Sequence, residues 1–245
     1  MIRFSMLVVN NNRSKAYLQN LVKNNFIPSK IIVLDDSNVR LPEHTDNDKI
    51  FSHDTKQKLI RRLDKLKIEF DEKEHIITTI NNNNIKYTLL DTLDVNSKLV
   101  VEEVKKLKED YIIYSGPGGT ILKKDILNQN KKFIHVHPGK LPKHRGSTTL
   151  YYSYLINSKV GASVILMNDK IDEGPILYTE NYLIQEKDFD FDYELDPLIR
   201  AKALINCFSK NNLSKKNQSN GESFTFYIIH PFLKHSAILF KKWQI

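Results

Sequence analysis

Along the first half of the chain, short apolar runs such as Phe4–Val9 alternate with stretches in which apolar residues recur three or four positions apart. That alternation between two periods predicts βαβ units around a parallel sheet. Phe4–Val9 is the expected first strand. Asn12 and Ser14 can cap a helix carrying Tyr17, Leu18, Leu21 and Val22 on one face, and Pro28 stops it before a second strand at 31–34. A polar loop at 36–54 follows, then a helix at 56–66 through Leu59, Ile60, Leu63 and Leu66, and a third strand at 85–90. Ser97 opens a helix patterned by Val100, Val101, Val104 and Leu107.

The apolar run 111–114 ends at Ser115-Gly116-Pro117-Gly118-Gly119. It reads as a buried strand feeding a loop at its carboxyl end, where doubly wound sheets hold ligands. A short helix at 123–127, a strand at 133–137, a helix at 149–156, a strand at 162–167 and an extended segment at 176–183 complete the expected sheet. The remainder changes character: acidic and aromatic at 188–196, helical at 198–208, polar and lysine-rich at 211–221, β-like at 224–229. The expected architecture is α/β with a mostly parallel sheet, divided into a main domain at 1–185 and a small C-terminal α+β extension at 186–245 without a core of its own.

Composition narrows the possibilities. The 245 residues are 40% hydrophobic and 27% charged, an ordinary share for a soluble chain with a packed core. No run approaches the roughly 18 apolar residues of a membrane span, and the stretch 6–9 meets Asn10-Asn11-Asn12 before it can serve as a signal-peptide core. The expectation is a cytoplasmic protein with no membrane role. Cys207 is the single cysteine, which excludes an intramolecular disulfide and Cys-cluster zinc sites; its neighbours Leu204, Ile205 and Phe208 predict a core position. The net charge of +8, from 37 Lys and Arg against 29 Asp and Glu, suits nucleic acid, a membrane surface or a small anion such as a diphosphate. No recognition motif supports nucleic acid, which is not an expected partner.

Chemically capable residues concentrate in His135-Val136-His137-Pro138-Gly139-Lys140-Leu141-Pro142-Lys143-His144-Arg145-Gly146. On a strand His135 and His137 share a face. A metal site built on this pair requires more ligands, with Asp172 and either His230 or His235 as candidates, but no second motif has ligand spacing, so no metal is expected. The other reading is metal-free acyl chemistry: an imidazole as proton acceptor, a donor for a developing oxyanion and a carboxylate that orients the imidazole. Asp172, in the turn Asn168-Asp169-Lys170-Ile171-Asp172-Glu173-Gly174-Pro175 after an apolar strand, is the candidate carboxylate.

The loop 137–146, followed by Gly161-Ala162-Ser163-Val164 and Ile171-Asp172-Glu173-Gly174-Pro175-Ile176-Leu177, resembles the tetrahydrofolate-dependent formyltransferases. Their signature is Asn-x-His followed by Asp-x-Gly. His137 and Asp172 match the histidine and the aspartate, and His135 stands in place of the asparagine. The resemblance implies a Rossmann-like formyltransferase domain and N10-formyltetrahydrofolate as formyl donor, with the N5-formyl form as its stable analogue. It further implies that His137 takes the proton of the attacking amine or steadies the oxyanion, that Asp172 orients it, and that His135 polarises the formyl oxygen.

By the same resemblance Ser115, Gly116, Pro117, Gly118, Gly119 and Leu122 on one side, and Asp169 and Ile171 on the other, surround the pterin. Lys140, Arg145, Ser147, Thr148 and Tyr152 contact the acceptor, and Tyr151, Tyr152, Tyr193 and Phe226 are stacking candidates for a base. Within the family, the segment Val8-Val9-Asn10-Asn11-Asn12-Arg13-Ser14 lacks the phosphate-binding glycines of the glycinamide ribonucleotide type. The stretch after Leu177 is short for the appended barrel of the methionyl-tRNA type. The loop, with Ser147-Thr148-Thr149 and the tail Phe226-Tyr227-Ile228-Ile229-His230-Pro231, is most similar to the sugar N-formyltransferase branch of lipopolysaccharide O-antigen synthesis, of the Francisella type. The implied acceptor is a nucleotide-linked amino-deoxy sugar, dTDP-4-amino-4,6-dideoxyglucose, and the implied assembly a homodimer. The alternatives are the other two formyltransferase types or a metal-dependent hydrolase using His135 and His137.

Overall fold

Phe4–Val9 (β1) is buried at all six positions, because parallel neighbours flank it on both edges and helices cover both faces. The computed structural model describes residues 2–37, 60–184, 189–210, 213–218 and 223–243. From β1 the chain runs through helix α1 (Asn12–Lys23) to β2 (Ile31–Asp35). After β3 (Ile60–Leu63), β4 (Ile68–Asp71) and α2 (Ile76–Asn82) it reaches the edge strand β5 (Tyr87–Asp91). Helix α3 (Lys98–Lys105) then carries it back across the sheet to β6 (Tyr111–Ser115), on the other side of β1. Next come α4 (Lys124–Leu127), β7 (Lys132–His137), β8 (His144–Gly146), α5 (Thr149–Asn157), β9 (Val160–Leu166) and β10 (Ile176–Tyr182). The C-terminal part adds α6 (Asp196–Ser209), β11 (Phe224–Phe226) and α7 (Pro231–Trp243).

The seven-stranded sheet has the order β10-β9-β7-β6-β1-β2-β5. β1, β2, β5, β6 and β7 are parallel, whereas β9 runs antiparallel to β7 and β10 antiparallel to β9. The strand order reverses between β1 and β6, and in sheets of this kind the crevice at such a reversal, at the carboxyl ends of the strands, is where ligands bind.

Alternate residues of β1 enter two cores. Phe4, Met6 and Val8 join α1, α6 and β9 on one face, while Leu7 and Val9 join Ile32, Val100, Val104, Ile112 and Phe133 on the other. Helix α6 belongs to the first of these cores: Leu198, Ile199, Leu204 and Phe208 pack with β1 and α1, and the Phe208 ring meets Phe4 edge-on at 5.0 Å. Cys207 is buried there as expected, and burial pushes its thiol up to about 12.

Two local expectations are corrected. The helix expected at 56–66 is not formed over its described part. Ile60–Leu63 is a strand whose Arg61 and Leu63 point inward, paired with β4 through a short turn at Asp64–Leu66. Apolar residues at 60, 63 and 66 satisfy a helical period, but Arg61 turns inward to an ion pair with Glu72, and the alternation of a two-residue period prevails. Residues 38–59, with most of the expected polar loop, lie outside the described residues. The cap of α1 is Asn11, whose side chain accepts from the Ser14 N–H at 2.9 Å. The Ser14 hydroxyl instead reaches Ser115. Helices α2 and α7 and strand β4 add elements beyond those expected.

Candidate active site

The carboxyl ends of β1, β6 and β7 open into a cleft of about 620 Å³. β7 presents His135 and His137 on one face, as strand periodicity requires. His137 is 2% exposed. Its Nε2 lies 2.6 Å from the backbone carbonyl of His144, with the Thr149 hydroxyl at 3.4 Å, and its Nδ1 lies 3.3 Å from Oδ1 of Asp172. The carbonyl contact selects a proton on Nε2, and Nδ1 faces the carboxylate. Gly139 makes this packing possible. A Cβ there would sit 2.8 Å from His137 Nε2 and 2.8 Å from the His144 carbonyl oxygen.

Asp172 reaches the site from the turn after β9, where its φ of 55° is in the left-handed region that aspartate tolerates better than most residues. Its Oδ2 accepts the Gly146 N–H at 2.9 Å. Burial alone would raise the Asp172 pKa, but the hydrogen bond and charge of His137 and the Gly146 N–H outweigh it and hold the carboxyl at about 2. Gln218 secures the same turn by donating to the carbonyls of Asp172 at 2.7 Å and Gly174 at 2.9 Å, and accepts from Arg145 at 2.8 Å.

The other end of this polar cluster, toward β6, is fastened less. Nδ1 of His135 is buried with no hydrogen-bond partner among the described residues, and so is the hydroxyl of Tyr114, whose ring lies 6.4 Å from that of His135. Burial, then the charges of Arg200 and Arg13, push the His135 pKa well below the usual imidazole range, so this ring is neutral. Arg200 is neutralised by Asp196 at 2.8 Å and donates to the Val136 carbonyl at 3.1 Å. Arg13, in the first turn of α1, donates to the Ser115 hydroxyl at 3.0 Å and to the Gly116 carbonyl, and has no carboxylate within 4.0 Å among the described residues.

The profile of the formyl transferase family matches residues 64–194, more than half of the chain. The chain belongs to the formyl transferase family. Methionyl-tRNA formyltransferase of Finegoldia magna is 27% identical over 163 residues, which cover 62% of this chain and 52% of that protein. The chain therefore spans about half the length of this curated relative. Among solved structures, the N-formyltransferase of Helicobacter canadensis, in complex with folinic acid and dTDP-3-aminofucose, has a TM-score of 0.57 at 20% identity over 100% of this chain and 83% of that one. Phosphoribosylglycinamide formyltransferase of Anaplasma phagocytophilum has a TM-score of 0.56 at 11% identity over 93% and 99%. At these identities the likeness is one of fold.

In this chain the family motif residues His137 and Asp172, together with His135, converge at one place, with one ligand atom of each within 4.8 Å of the others. Pro117, Gly118, Gly119 and Leu122 line one wall of the cleft, Asp169 and Ile171 another, and Arg145, Ser147 and Thr148 a third. Ser115 is buried behind the wall, and the Gly116 carbonyl accepts from Arg13. Lys140 is exposed outside the lining, and Tyr152 packs on Phe226 at 4.6 Å. Of the stacking candidates Phe226 lines the cleft; Tyr151 is buried, stacked on Phe191 at 4.6 Å and bonded to Asp192 at 2.9 Å.

Arg13, Tyr114, Arg200, Thr225, Tyr227 and Ile228 line the cleft as well, beyond the expected residues. Arg13 had a signal, since it lies in the first turn of the helix that follows the first strand. The segment 225–228 arrives because β11 pairs in parallel with β8. Gly146 permits that approach: its φ is 94°, and a Cβ would lie 2.1 Å from the Phe226 carbonyl oxygen. Thr148 ties the segment down, accepting the Ile229 N–H at 2.9 Å and donating to the Tyr227 carbonyl at 3.2 Å. Among the described residues no helix is long and apolar enough to cross a membrane.

Proposed function

We propose that this chain transfers the formyl group of N10-formyltetrahydrofolate to the amine of a nucleotide-linked amino sugar. The observation that carries the reading is the convergence of His135, His137 and Asp172 at the end of a cleft at the sheet's strand-order reversal. The neutral amine attacks the formyl carbon, and the C–N bond to the acceptor forms as the bond to folate N10 breaks. The amine proton is taken up at the His137 Nδ1–Asp172 Oδ1 pair, 3.3 Å apart, and passes on to N10 as it leaves. The neutral His135 ring donates to the formyl oxygen as negative charge develops there. The pterin lies between the 117–122 loop and the turn carrying Asp169 and Ile171, and the acceptor lies toward Arg145, Ser147, Thr148 and the 225–228 segment.

In this reading residues 1–185 supply the folate site and the chemistry, and 186–245 supply part of the acceptor wall and a surface for a second copy. The sugar is supported by the fold neighbour from Helicobacter canadensis, which holds folinic acid and dTDP-3-aminofucose. We take dTDP-4-amino-4,6-dideoxyglucose, a precursor of O-antigen, as the first acceptor to test. The second reading is an aminoacyl-tRNA acceptor, favoured by the sequence match to methionyl-tRNA formyltransferase. The test is mass spectrometry of the protein incubated with the folate donor and either a panel of nucleotide amino sugars or initiator methionyl-tRNA. A mass gain of one formyl group on a sugar supports the proposal, formylation of the tRNA alone replaces the acceptor, and no product with an active donor overturns the reaction.

A further inference from the structure

The same three side chains form a ligand set that formyl transfer does not use. We propose that His135, His137 and Asp172 bind a divalent transition-metal ion of the zinc type, with a fourth position open to the cleft, and that an ion bound there stops formyl transfer.

Four observations carry this. First, one ligand atom from each residue lies within 4.8 Å of the others. A tetrahedral ion with bonds of about 2.0–2.1 Å sets its ligand atoms about 3.4 Å apart. His137 Nδ1 and Asp172 Oδ1, at 3.3 Å, already meet that spacing, and the third atom needs a closure of no more than about 1.4 Å. Second, each member of that pair is anchored through its other polar atom, His137 Nε2 on the His144 carbonyl at 2.6 Å and Asp172 Oδ2 on the Gly146 N–H at 2.9 Å. Outer hydrogen bonds of this kind fix the tautomer and direction of metal ligands. Third, the His135 Nδ1 is buried without a hydrogen-bond partner among the described residues, so this ring is not held by another contact through that atom. Fourth, the donor set selects the class of ion: two imidazoles with one carboxylate suit zinc and its neighbours, whereas magnesium and calcium take oxygen ligands.

His135 is what makes the set possible. It stands where the Asn-x-His motif has asparagine, and an amide in its place offers no imidazole nitrogen. The charges nearby set the strength. Arg200, paired with Asp196, and Arg13, with no carboxylate within 4.0 Å among the described residues, both oppose a cation there, so removing the Arg13 charge should tighten binding. Inhibition follows from the proposed reaction and rests on that reading: the ion takes the gap between His137 Nδ1 and Asp172 Oδ1 into which the amine proton must pass. Binding itself does not depend on it.

The experiment uses the whole chain, stripped with a chelator and titrated with cobalt(II) chloride, then with zinc chloride by calorimetry. The expected result is one ion per chain, with the intense visible absorption of low-coordinate cobalt. His135→Asn and Asp172→Asn, checked for native circular dichroism, should each weaken binding at least about a hundredfold, and Arg13→Gln should strengthen it several-fold. Absence of cobalt absorption and of stoichiometric zinc uptake at large excess overturns the proposal, as does binding that survives His135→Asn. Because these readouts need no folate or acceptor, failure of the metal site and failure of the formyl-transfer reading are separable. Where turnover is observed, zinc should suppress it over the concentration range of binding and chelator should restore it. Turnover unchanged at full zinc occupancy overturns the inhibitory part.

Discussion

The two ends of the polar cluster in the cleft differ in how completely their atoms are satisfied. At the β7–β9 end, both nitrogens of His137 and both oxygens of Asp172 have partners, supplied by backbone groups of His144 and Gly146 and by each other. At the end toward β6, His135 Nδ1 on β7 and the Tyr114 hydroxyl on β6 are buried without partners among the described residues, and the hydrogen bonds of Arg13 go to neutral oxygens. A buried unpaired polar group costs roughly 1–3 kcal/mol. Such groups persist where function or an absent ligand accounts for them. The fastened end is therefore held in one geometry by its own contacts, and the open end keeps buried polar atoms that a bound molecule can meet.

The largest expected effect tests the fastened end. His137→Ala and Asp172→Ala should each lower kcat/KM by about 10²–10⁴-fold with unchanged circular dichroism; turnover at the wild-type rate in either variant would move the chemistry elsewhere. The two arginines sharpen the contrast next. Arg13→Gln should lower kcat/KM by about tenfold or more, the scale of one charge-assisted contact, with thermal stability maintained. Arg200→Gln strands Asp196 and the Val136 carbonyl and should cost about 3 kcal/mol in denaturant unfolding. If Arg13→Gln destabilises as much as Arg200→Gln while leaving turnover intact, the open end is structural and not a ligand site.

Smaller in stability terms is the acid dependence of Asp172. Its folded pKa of about 2 lies below the unfolded value of about 3.9. Its contribution, on the order of 2 kcal/mol, is thus present above pH about 4 and is lost as pH falls through about 2. Asp172→Asn should flatten the stability profile across that window in urea titrations, and an unchanged slope would show the carboxylate to be unpaired. The smallest effect belongs to His135→Asn, which keeps a donor at the formyl oxygen. Turnover within about tenfold of wild type is expected, with His135→Ala lower still. If asparagine is as damaging as alanine, the imidazole does more than donate.

Much of this molecule was legible from local pattern. β1, β6 and β7 are recognisable because a strand buried on both faces must be apolar throughout. Placing His135 and His137 on one face needs only the pleat, and Asp172 stands in a turn after an apolar strand. The helix expected at 56–66 fails on the same ground: apolar spacing alone does not distinguish a short strand from a helix, and the inward ion pair of Arg61 with Glu72 was invisible in the pattern. Helix α7 was not among the expected elements although Pro231, its first residue, closes the β-like run at 224–229 and is a helix-start signal.

Local periodicity, strand ends and turn chemistry were thus enough to announce the α/β sheet, the loop at its carboxyl edge and three of the side chains in the site. Which groups those side chains meet depends on contacts between segments far apart in the chain. Asp172 finds His137 because β9 runs antiparallel beside β7, Arg13 reaches the cleft because β6 returns next to β1, and the 225–228 wall exists because β11 pairs with β8. No local period encodes those distances, since they are set by how two cores pack against opposite faces of one sheet.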